Sequence, residues 1–388
     1  MDSQSGHELR KFVTPELVFG AGARHLAGRY AKNLGARKVL LVSDPGVILA
    51  GWAAEVASSL ESAGIPFTNF SQVSPNPRAE EVMMGAEVYL SENCNVIVAV
   101  GGGSPMDCAK GIGIVSSNRK SIWAFEGVDR VSIPIPPLIC IPTTGGTSAD
   151  VSQLAIIRDV QEKVKFVIGS KAVVPDVALI DPDTLTTMTP YLTACTGLDA
   201  LTHAIEAFVS NANSPLTDLH ALEAIRLITS NLFPALEDPN NPTLRGQIML
   251  GSLEAGLAFS NAILGAVHSM SHSLGGFLDL PHGECNAILL HHVIAFNFQA
   301  AEDRYRRIGE AMGLDLRGMN SQQIKNTMIS EIMRLQKAVG IDRTLGQLGV
   351  AHGDIPVLAG KAMKDPCLAT NPRKPVKRDI EVVYEEAF

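Results

Sequence analysis

The chain has 388 residues, of which 46% are hydrophobic and 19% charged, and its formal net charge is −8 at pH 7. This composition excludes a disordered chain, and the length is enough for two domains, each with its own core. The 40 acidic and 32 basic residues are spread without blocks of one sign, which argues against nucleic acid or an anionic membrane as a partner.

The N-terminus and the cysteines predict a cytoplasmic protein. Residues 1–16 lack the apolar core of a secretion signal, and no apolar run in the chain approaches the roughly 20 residues that cross a bilayer. The six cysteines form no CxxC pair and no regular spacing, so we expect neither a disulfide framework nor a thiolate zinc site.

The first half alternates β-branched runs with helical stretches. Residues 38–43, 95–100 and 138–141 read as buried strands, and residues 52–63 and 79–91 have helical periodicity. Further strands are expected at residues 153–158, 164–168 and 177–180. This alternation is typical of an α/β, Rossmann-like domain with a mostly parallel sheet.

Asp44 closes the first of these strands and is followed by Pro45. An acidic side chain at this place can accept hydrogen bonds from the adenosine ribose of NAD and disfavours a 2′-phosphate. An Asp-Pro pair before a helix also fits an N-cap with proline at the first helical position. The residues alone leave both interpretations open.

A glycine-rich turn, residues 101–103, follows the strand at 95–100. Backbone without Cβ atoms lets a phosphate approach, and the N-terminus of the next helix adds free amides. We predict Ser104 as the N-cap, Pro105 as the first helical residue and Asp107 as its capping-box partner. The turn is not a GxGxxG fingerprint, so it indicates either a pyrophosphate site or turn chemistry alone.

Thr143, Thr144 and Thr147 follow the strand at 138–141, together with two glycines. Ligands of α/β proteins bind at the carboxyl edge of the sheet, where these hydroxyls are expected. A plain polar loop is the competing interpretation.

After Pro182 the chain becomes rich in Ala and Leu with helical periodicity. We predict two domains, an α/β domain at residues 1–183 and an all-helical domain at residues 184–388. Helices are expected at residues 192–210, 214–233, 242–259, 262–275 and 300–312.

The helical half contains clustered metal-ligand residues. Asp199 and His203 are four apart, so both project from one helix face, and a second helix can offer His268. Glycines at 275–276 and Leu280-Pro281 should end that second helix, so that His282 returns from a loop. Three imidazoles and a carboxylate suit a divalent transition metal, whereas the alternative is capping or core histidines.

The motifs in their order and spacing resemble the iron-containing (group III) alcohol dehydrogenases over nearly the whole chain. The matching segments are VLLVSD, PNP at 75–77, GGGSPMDCAK, IPTTGGTSADVS, LIDPDT, GLDALTHAIEA, residues 268–283 and DPCLATNPR at 365–373. The resemblance implies an NAD-binding α/β domain, a helical domain and an active site between them. The family usually reads AGTGSE where this chain reads GGTSAD at 145–150, so no role is assigned to Ser148 or Asp150.

The resemblance also implies a role for each matching residue. The metal ligands would be Asp199, His203, His268 and His282, with His272 beside the metal near the nicotinamide. Because His272 lies four residues after His268 on the same helix face, we expect it to act as a proton relay. Asp44 would contact the adenosine ribose and Asn76 the adenine side. The pyrophosphate would lie on Gly102, Gly103 and Ser104, and the nicotinamide half near Thr143, Thr144, Thr147, Ile156 and Lys165.

The expected function is that of a metal-dependent, NAD(H)-linked alcohol dehydrogenase that interconverts short primary alcohols or diols with aldehydes. Fe(II) is the expected metal, although the donor set also suits zinc. A homodimer or higher homo-oligomer is implied, and an edge strand near residues 12–19 could pair across it. The alternatives are a glycerol-type polyol dehydrogenase with zinc, a dehydroquinate synthase-like lyase, and a non-catalytic metal- or nucleotide-binding protein.

Overall fold

The computed structural model describes residues 9–388, and it confirms an α/β first half followed by a helical second half. The main sheet has six parallel strands in the order β1-β9-β6-β4-β2-β3. These strands are β1 (Glu16–Phe19), β2 (Val39–Val42), β3 (Phe67–Phe70), β4 (Val96–Gly101), β6 (Leu138–Pro142) and β9 (Val177–Ile180).

The two faces of this sheet are buried against different sets of helices. Leu40 and Val42 of β2 join the core under the helices that follow β3 and β4, whereas Val39 and Leu41 join the core under the helices before and after β2 in the chain. Because successive side chains of a strand point to opposite faces, a continuous apolar run is what a sheet covered on both sides requires. The helices of this half are α1 (Ala27–Asn33), α2 (Pro45–Leu49), α3 (Trp52–Ser62), α4 (Ala79–Ser91) and α5 (Gly103–Asn118).

The strands expected at 153–158 and 164–168 form, but they do not join the main sheet. β7 (Leu154–Asp159) and β8 (Val164–Gly169) make an antiparallel hairpin, and β5 (Gly127–Val128) pairs with β8. The prediction placed them in one mostly parallel sheet, and the structure corrects this. A turn of four residues between β7 and β8 favours local antiparallel pairing, since parallel strands need a long crossover.

The helical half packs around one large core. Its helices are α6 (Pro190–Val209), α7 (Pro215–Glu237), α8 (Pro242–Ala262), α9 (Ala266–Leu278), α10 (His282–Asn297), α11 (Glu302–Ala311), α12 (Ser321–Ala338), α13 (Ile355–Ala362) and α14 (Lys377–Glu386). The core also includes Val151, Leu154, Val167, Ala178 and Ile180 from the first half. The boundary between residues 183 and 184 therefore stays a prediction.

The structure corrects the predicted end of the helix that carries His268. α9 continues through Gly275 and Gly276 and ends at Leu278, where Asp279 has a left-handed φ of 59°. A Cβ on Gly276 would lie 2.7 Å from the backbone nitrogen of Lys165, so this glycine allows the helix to approach β8 closely. His282 is consequently the first residue of α10 and not part of a loop.

The predicted cap of α5 is also wrong. The helix begins at Gly103 with Gly102 as its N-cap residue, two positions before the predicted start. The hydroxyl of Ser104 instead donates to the carbonyl of Pro75, which holds the PNP segment against the glycine turn.

No single helix among residues 9–388 has the length and apolar character needed to cross a bilayer; α8 and α9 meet that test only as a pair, with a bend of 99° between them.

Candidate metal and cofactor site

Three helices bring the four predicted metal ligands together. α6 carries Asp199 and His203 one turn apart, α9 carries His268, and α10 begins with His282. One ligand atom from each residue lies within 4.8 Å of the others. The Asp199 Oδ1 atom is 3.9 Å from Nε2 of His268 and 3.9 Å from Nε2 of His282.

The histidines of this cluster are neutral. Burial lowers the pKa of His203 to about 3 and the pKa values of His268 and His282 well below the ordinary value. A neutral imidazole offers one nitrogen lone pair, which is the form that binds a metal. The cluster therefore presents three imidazole nitrogens and one carboxylate.

Asn286 shows that the cluster holds more acceptors than the protein can satisfy. Its Nδ2 lies 2.6 Å from Asp199 Oδ1, 3.0 Å from His268 Nε2 and 3.2 Å from His282 Nε2. An amide has two hydrogens and cannot serve three acceptors. This surplus of lone pairs in a buried place fits a cation, so the residues present suit a divalent metal.

His272 lies beside the cluster, as the prediction had it. Its ring centroid is 5.2 Å from that of His282, and its Nδ1 is 2.8 Å from Oδ2 of Asp365. Asp365 itself accepts a hydrogen bond from the backbone nitrogen of Cys367. His272 is thus oriented by a carboxylate from a distant part of the chain.

Sequence reasoning missed Glu206, Asn286 and Asp365. Asn286 is four residues after His282, so the helical spacing would have indicated it if α10 had been predicted to begin there. Glu206 is three residues after His203 on the same helix, which is a similar signal. Asp365 reaches His272 over 93 residues of sequence, and no local pattern indicates that contact.

The glycine turn lies where the strand order of the main sheet reverses. β2 and β4 are neighbours in the sheet, but the chain runs from β2 to β3 on one side and from β4 to β6 on the other side. Ligands of open α/β sheets bind at such a point. Gly101 has a φ of 151°, and a Cβ there would lie 2.6 Å from Cγ of Pro105. Only glycine fits this position. Because glycine has no side chain, a phosphate can approach the backbone of the turn.

Thr144 supports a ligand at this turn. Its Oγ1 is buried and has no hydrogen-bond partner among residues 9–388, and it would lie 3.3 Å from a Cβ on Gly102. The backbone nitrogen of Thr143 donates to the carbonyl of Gly101, which ties the threonine segment to the turn. The free hydroxyl and the free amides at the start of α5 suit a phosphate oxygen.

Asp44 caps α2, as one of its two interpretations predicted. Its Oδ1 accepts a hydrogen bond from the backbone nitrogen of Val47 at 3.0 Å. The residue lies at the carboxyl end of β2, next to the glycine turn. Contact with a ribose stays a prediction.

A cleft connects the glycine turn with the histidine cluster. Six of the predicted cofactor residues line it, whereas Asp44, Gly102, Thr143 and Thr144 are not among its lining residues. The six are Asn76, Gly103, Ser104, Thr147, Ile156 and Lys165, and His203, His268, His272 and His282 line it as well. The amide of Asn76 also donates to Asp279 Oδ1 at 2.6 Å, which joins the two halves at the cleft.

Asp107 lines this cleft and does not form the predicted capping box. Burial raises the pKa of its carboxyl to about 6, although Lys110 and other groups act in the opposite direction. Burial likewise lowers the pKa of the Lys165 amine. Ser148 and Asp150 do not line the cleft, and the Ser148 hydroxyl donates to the carbonyl of Ser252.

Comparison with known proteins gives consistent matches. Residues 14–182 match the model of the iron-containing alcohol dehydrogenases, and residues 193–388 match the C-terminal model of the Fe-containing alcohol dehydrogenase family. The chain is 40% identical to a 1,3-propanediol dehydrogenase of Citrobacter freundii, over 98% of this chain and 100% of that protein. It is 36% identical to an NAD-dependent methanol dehydrogenase of Bacillus methanolicus, over 97% of this chain and 99% of that protein.

A solved structure shows the same fold. A crystal structure of a 1,3-propanediol oxidoreductase is 39% identical, covers 98% of this chain and 100% of its own, and superposes with a TM-score of 0.95. The family that the motifs predicted is therefore confirmed. The chain belongs to the iron-containing alcohol dehydrogenase family and is an alcohol dehydrogenase.

Proposed function

We propose that this enzyme interconverts short primary alcohols or diols with their aldehydes, with Fe(II) as its metal and NAD(H) as its cofactor. The observation that carries the proposal is the cleft itself. It is lined at one end by three neutral imidazoles, which adjoin the Asp199 carboxylate, and at the other end by the glycine turn and the N-terminus of α5. This arrangement supports a Lewis-acid site and a nucleotide site within one cavity.

Asp199, His203, His268 and His282 would hold the metal, which when bound would act as a Lewis acid and lower the pKa of a substrate hydroxyl. The family name supports iron, although the same donors suit zinc. A zinc-dependent polyol dehydrogenase is thus the remaining alternative within the class. A lyase is disfavoured, since the matched relatives are named as dehydrogenases.

The cofactor would lie along the glycine turn, where it would supply the hydride acceptor. Gly102, Gly103, Ser104 and the free Thr144 hydroxyl support a pyrophosphate there. Thr147, Ile156 and Lys165 line the cleft toward the histidines and would approach the nicotinamide half. Asp44 at the end of β2 supports NAD over NADP, since its charge would repel a 2′-phosphate.

The substrate end of the cleft has apolar walls. Leu154, Ile156, Phe259 and Leu264 line it together with the histidines. Such walls favour a short uncharged alcohol over an acid. The relatives named for 1,3-propanediol and methanol fit this size and chemistry.

His272 would carry the proton. Asp365 accepts from its Nδ1, so Nε2 is the nitrogen left to exchange a proton with a substrate oxygen in the cleft. In the direction of oxidation His272 accepts the hydroxyl proton, and in reduction it returns one.

A cytoplasmic homodimer is part of the proposal. β1 is an edge strand of the main sheet, and its Leu17 and Phe19 are 37% and 43% exposed. An edge strand with exposed apolar side chains favours pairing with a second copy. The six free, buried cysteines are in keeping with a reducing compartment.

The test is NADH formation from short primary alcohols and diols by protein stripped of metal and then reloaded anaerobically with Fe(II) or Zn(II). We expect turnover only after reloading, and we expect His268→Ala to abolish turnover and metal retention. His220→Ala is the matched control, because His220 bonds Glu254 outside the cleft. Metal and NAD binding without turnover of any alcohol or aldehyde would contradict the proposal.

A further inference from the structure

Glu206 is a buried carboxylate at the N-terminus of α9. Glu206 is 3% exposed. Its carboxylate oxygens accept hydrogen bonds from the backbone nitrogens of Gly265 at 3.1 Å, Val267 at 2.7 Å and His268 at 3.4 Å. These are amides that have no carbonyl partner within their own helix. Glu206 therefore holds the first turn of α9 in place from the neighbouring helix α6.

The same carboxylate contacts the side chain of His268. Its Oε2 lies 2.6 Å from Nδ1 of that imidazole, and both side chains are almost fully buried. Burial raises the pKa of this carboxyl to about 7, whereas the three backbone N–H donors act in the opposite direction. Because Oε2 already accepts the N–H groups of Gly265 and His268, it faces the imidazole as an acceptor, and the Nδ1 atom of His268 carries the hydrogen. The lone pair of His268 then lies on Nε2, which faces the Nδ2 donor of Asn286 and the Asp199 carboxylate.

The other two histidines of the cluster lack such a partner. Among residues 9–388, Nδ1 of His203 has no hydrogen-bond partner. Nδ1 of His282 contacts the hydroxyl of Ser271 at 3.1 Å, and a hydroxyl can donate or accept. His268 is the one histidine of the three whose tautomer is set by a carboxylate.

A glycine at position 265 leaves room for the contact between Glu206 and α9. A Cβ on Gly265 would lie 2.9 Å from Oε1 of Glu206 and 2.9 Å from Oδ1 of Asn371. Any larger residue at position 265 would push the carboxylate away from α9. The absence of a side chain here lets three backbone amides and one imidazole converge on Glu206.

We propose that Glu206 is a positioning residue for the metal site: it fixes His268 as the Nδ1–H tautomer, so that the Nε2 lone pair is directed at the metal. The inference rests on the proposed function, since it assumes that His268 is a ligand. Carboxylates that bond the outer nitrogen of a ligand histidine commonly contribute 10- to 100-fold in metal affinity. Two turns of α6 thus serve the site: Asp199 and His203 would contact the metal directly, and Glu206 orients the imidazole of His268.

Glu206→Gln tests the tautomer directly, because it keeps the shape and replaces one oxygen with an NH2 group. If the NH2 group takes the place of Oε2, it donates to Nδ1 and shifts the ring hydrogen to Nε2, but it also meets the backbone N–H groups of Gly265 and His268. If it takes the place of Oε1, it meets only the N–H of Val267, and the neutral amide oxygen accepts from Nδ1 more weakly than a carboxylate does. In both cases Nδ1 loses its charged acceptor, so we expect the affinity for Zn(II) to fall about 10- to 100-fold and the nitrogen NMR shifts of His268 in the metal-free protein to move, to hydrogen at Nε2 in the first case and to a weaker Nδ1–H hydrogen bond in the second.

The control is Glu254→Gln. Glu254 bonds Nδ1 of His220 at 2.5 Å and forms the same kind of pair away from the cleft, so its loss should leave Zn(II) affinity unchanged. Glu206→Asp is the second variant, since it keeps the charge and the acceptor oxygens. It should retain the Nδ1–H tautomer and lose less affinity than Glu206→Gln.

The measurements are Zn(II) affinity by competition with a chelator and NMR of histidine nitrogens, both on the full chain. Wild-type protein that binds no Zn(II) would contradict the proposed function itself. Wild-type binding with equal affinity in Glu206→Gln would overturn this inference alone. A loss of affinity in both Glu206 variants with His268 nitrogen shifts equal to those of the wild type would also overturn it, because it would show a purely structural role.

Discussion

The imidazole of His272 and the carboxylate of Asp365 form a pair that is nearly closed to solvent. Nδ1 of His272 lies 2.8 Å from Oδ2 of Asp365, and the two side chains are 5% and 6% exposed. His272 also lines the cleft beside His282. The pair therefore places one imidazole next to the candidate metal ligands without requiring it as a ligand.

His272→Ala should lower kcat about 100-fold, which is the lower range for loss of a general acid or base. It should not release the metal, because the four candidate ligands are untouched. The measurements are kcat, the pH profile of kcat and metal content after gel filtration. Unchanged activity with an unchanged pH profile would end the relay proposal.

Asp365→Asn should have a similar effect for a different reason. Oδ1 of Asp365 accepts from the backbone nitrogen of Cys367 at 2.8 Å, so an asparagine would keep its oxygen there. Its NH2 group would then face Nδ1 of His272 and force the wrong tautomer, which costs general-base catalysis about 100-fold or more. Steady-state kinetics with a thermal unfolding control would show this, and a normal kcat would contradict the assigned orientation.

The metal ligands were predictable because their signal is local. Four-residue spacing places Asp199 and His203 on one helix face whatever the rest of the chain does. The start of α10 at His282 was not predictable in this way. It follows a turn at Asp279, whose carboxylate bonds Asn76 and Arg158 from the first half.

The remaining errors have the same physical origin. β7 and β8 were predicted as strands, and the four-residue turn between them favours a hairpin, but nothing local indicates that this hairpin pairs with β5 and stays outside the main sheet. Glu206 meets His268 over 62 residues and Asp365 meets His272 over 93. Periodicity reports which face of an element is buried and not which distant element covers it.

Asp44→Ser should weaken the preference for NAD over NADP without lowering the thermal stability of the protein. Serine keeps the N-cap bond to the amide of Val47, so the melting temperature should stay near that of the wild type. It removes the charge and the carboxylate that would accept hydrogen bonds from the ribose. The loss of a charged hydrogen bond worth about 1.5 kcal/mol corresponds to a roughly 10-fold weaker affinity for NAD. We expect kcat/KM for NAD to fall about that much and the discrimination against NADP to narrow. Unchanged preference for NAD would remove Asp44 from the cofactor site.

His203 should make the metal-free protein less stable in acid. Burial lowers its pKa to about 3 in the folded state, whereas an unfolded histidine titrates near 6.5. Below pH 6.5 the unfolded chain binds a proton that the native state does not, so the free energy of unfolding falls as the pH falls toward 3. At pH 5 this one group should cost about 2 kcal/mol relative to pH 7.

His203→Asn removes that titration and should reduce the loss of unfolding free energy between pH 7 and pH 5 by about the same 2 kcal/mol. Burial lowers the pKa values of His268, His282, His291 and His292 as well, so the variant should keep part of the acid sensitivity. Urea unfolding of both proteins at the two pH values, after removal of metal, gives the comparison. An identical pH dependence in the variant would mean that His203 is not held neutral in the folded protein.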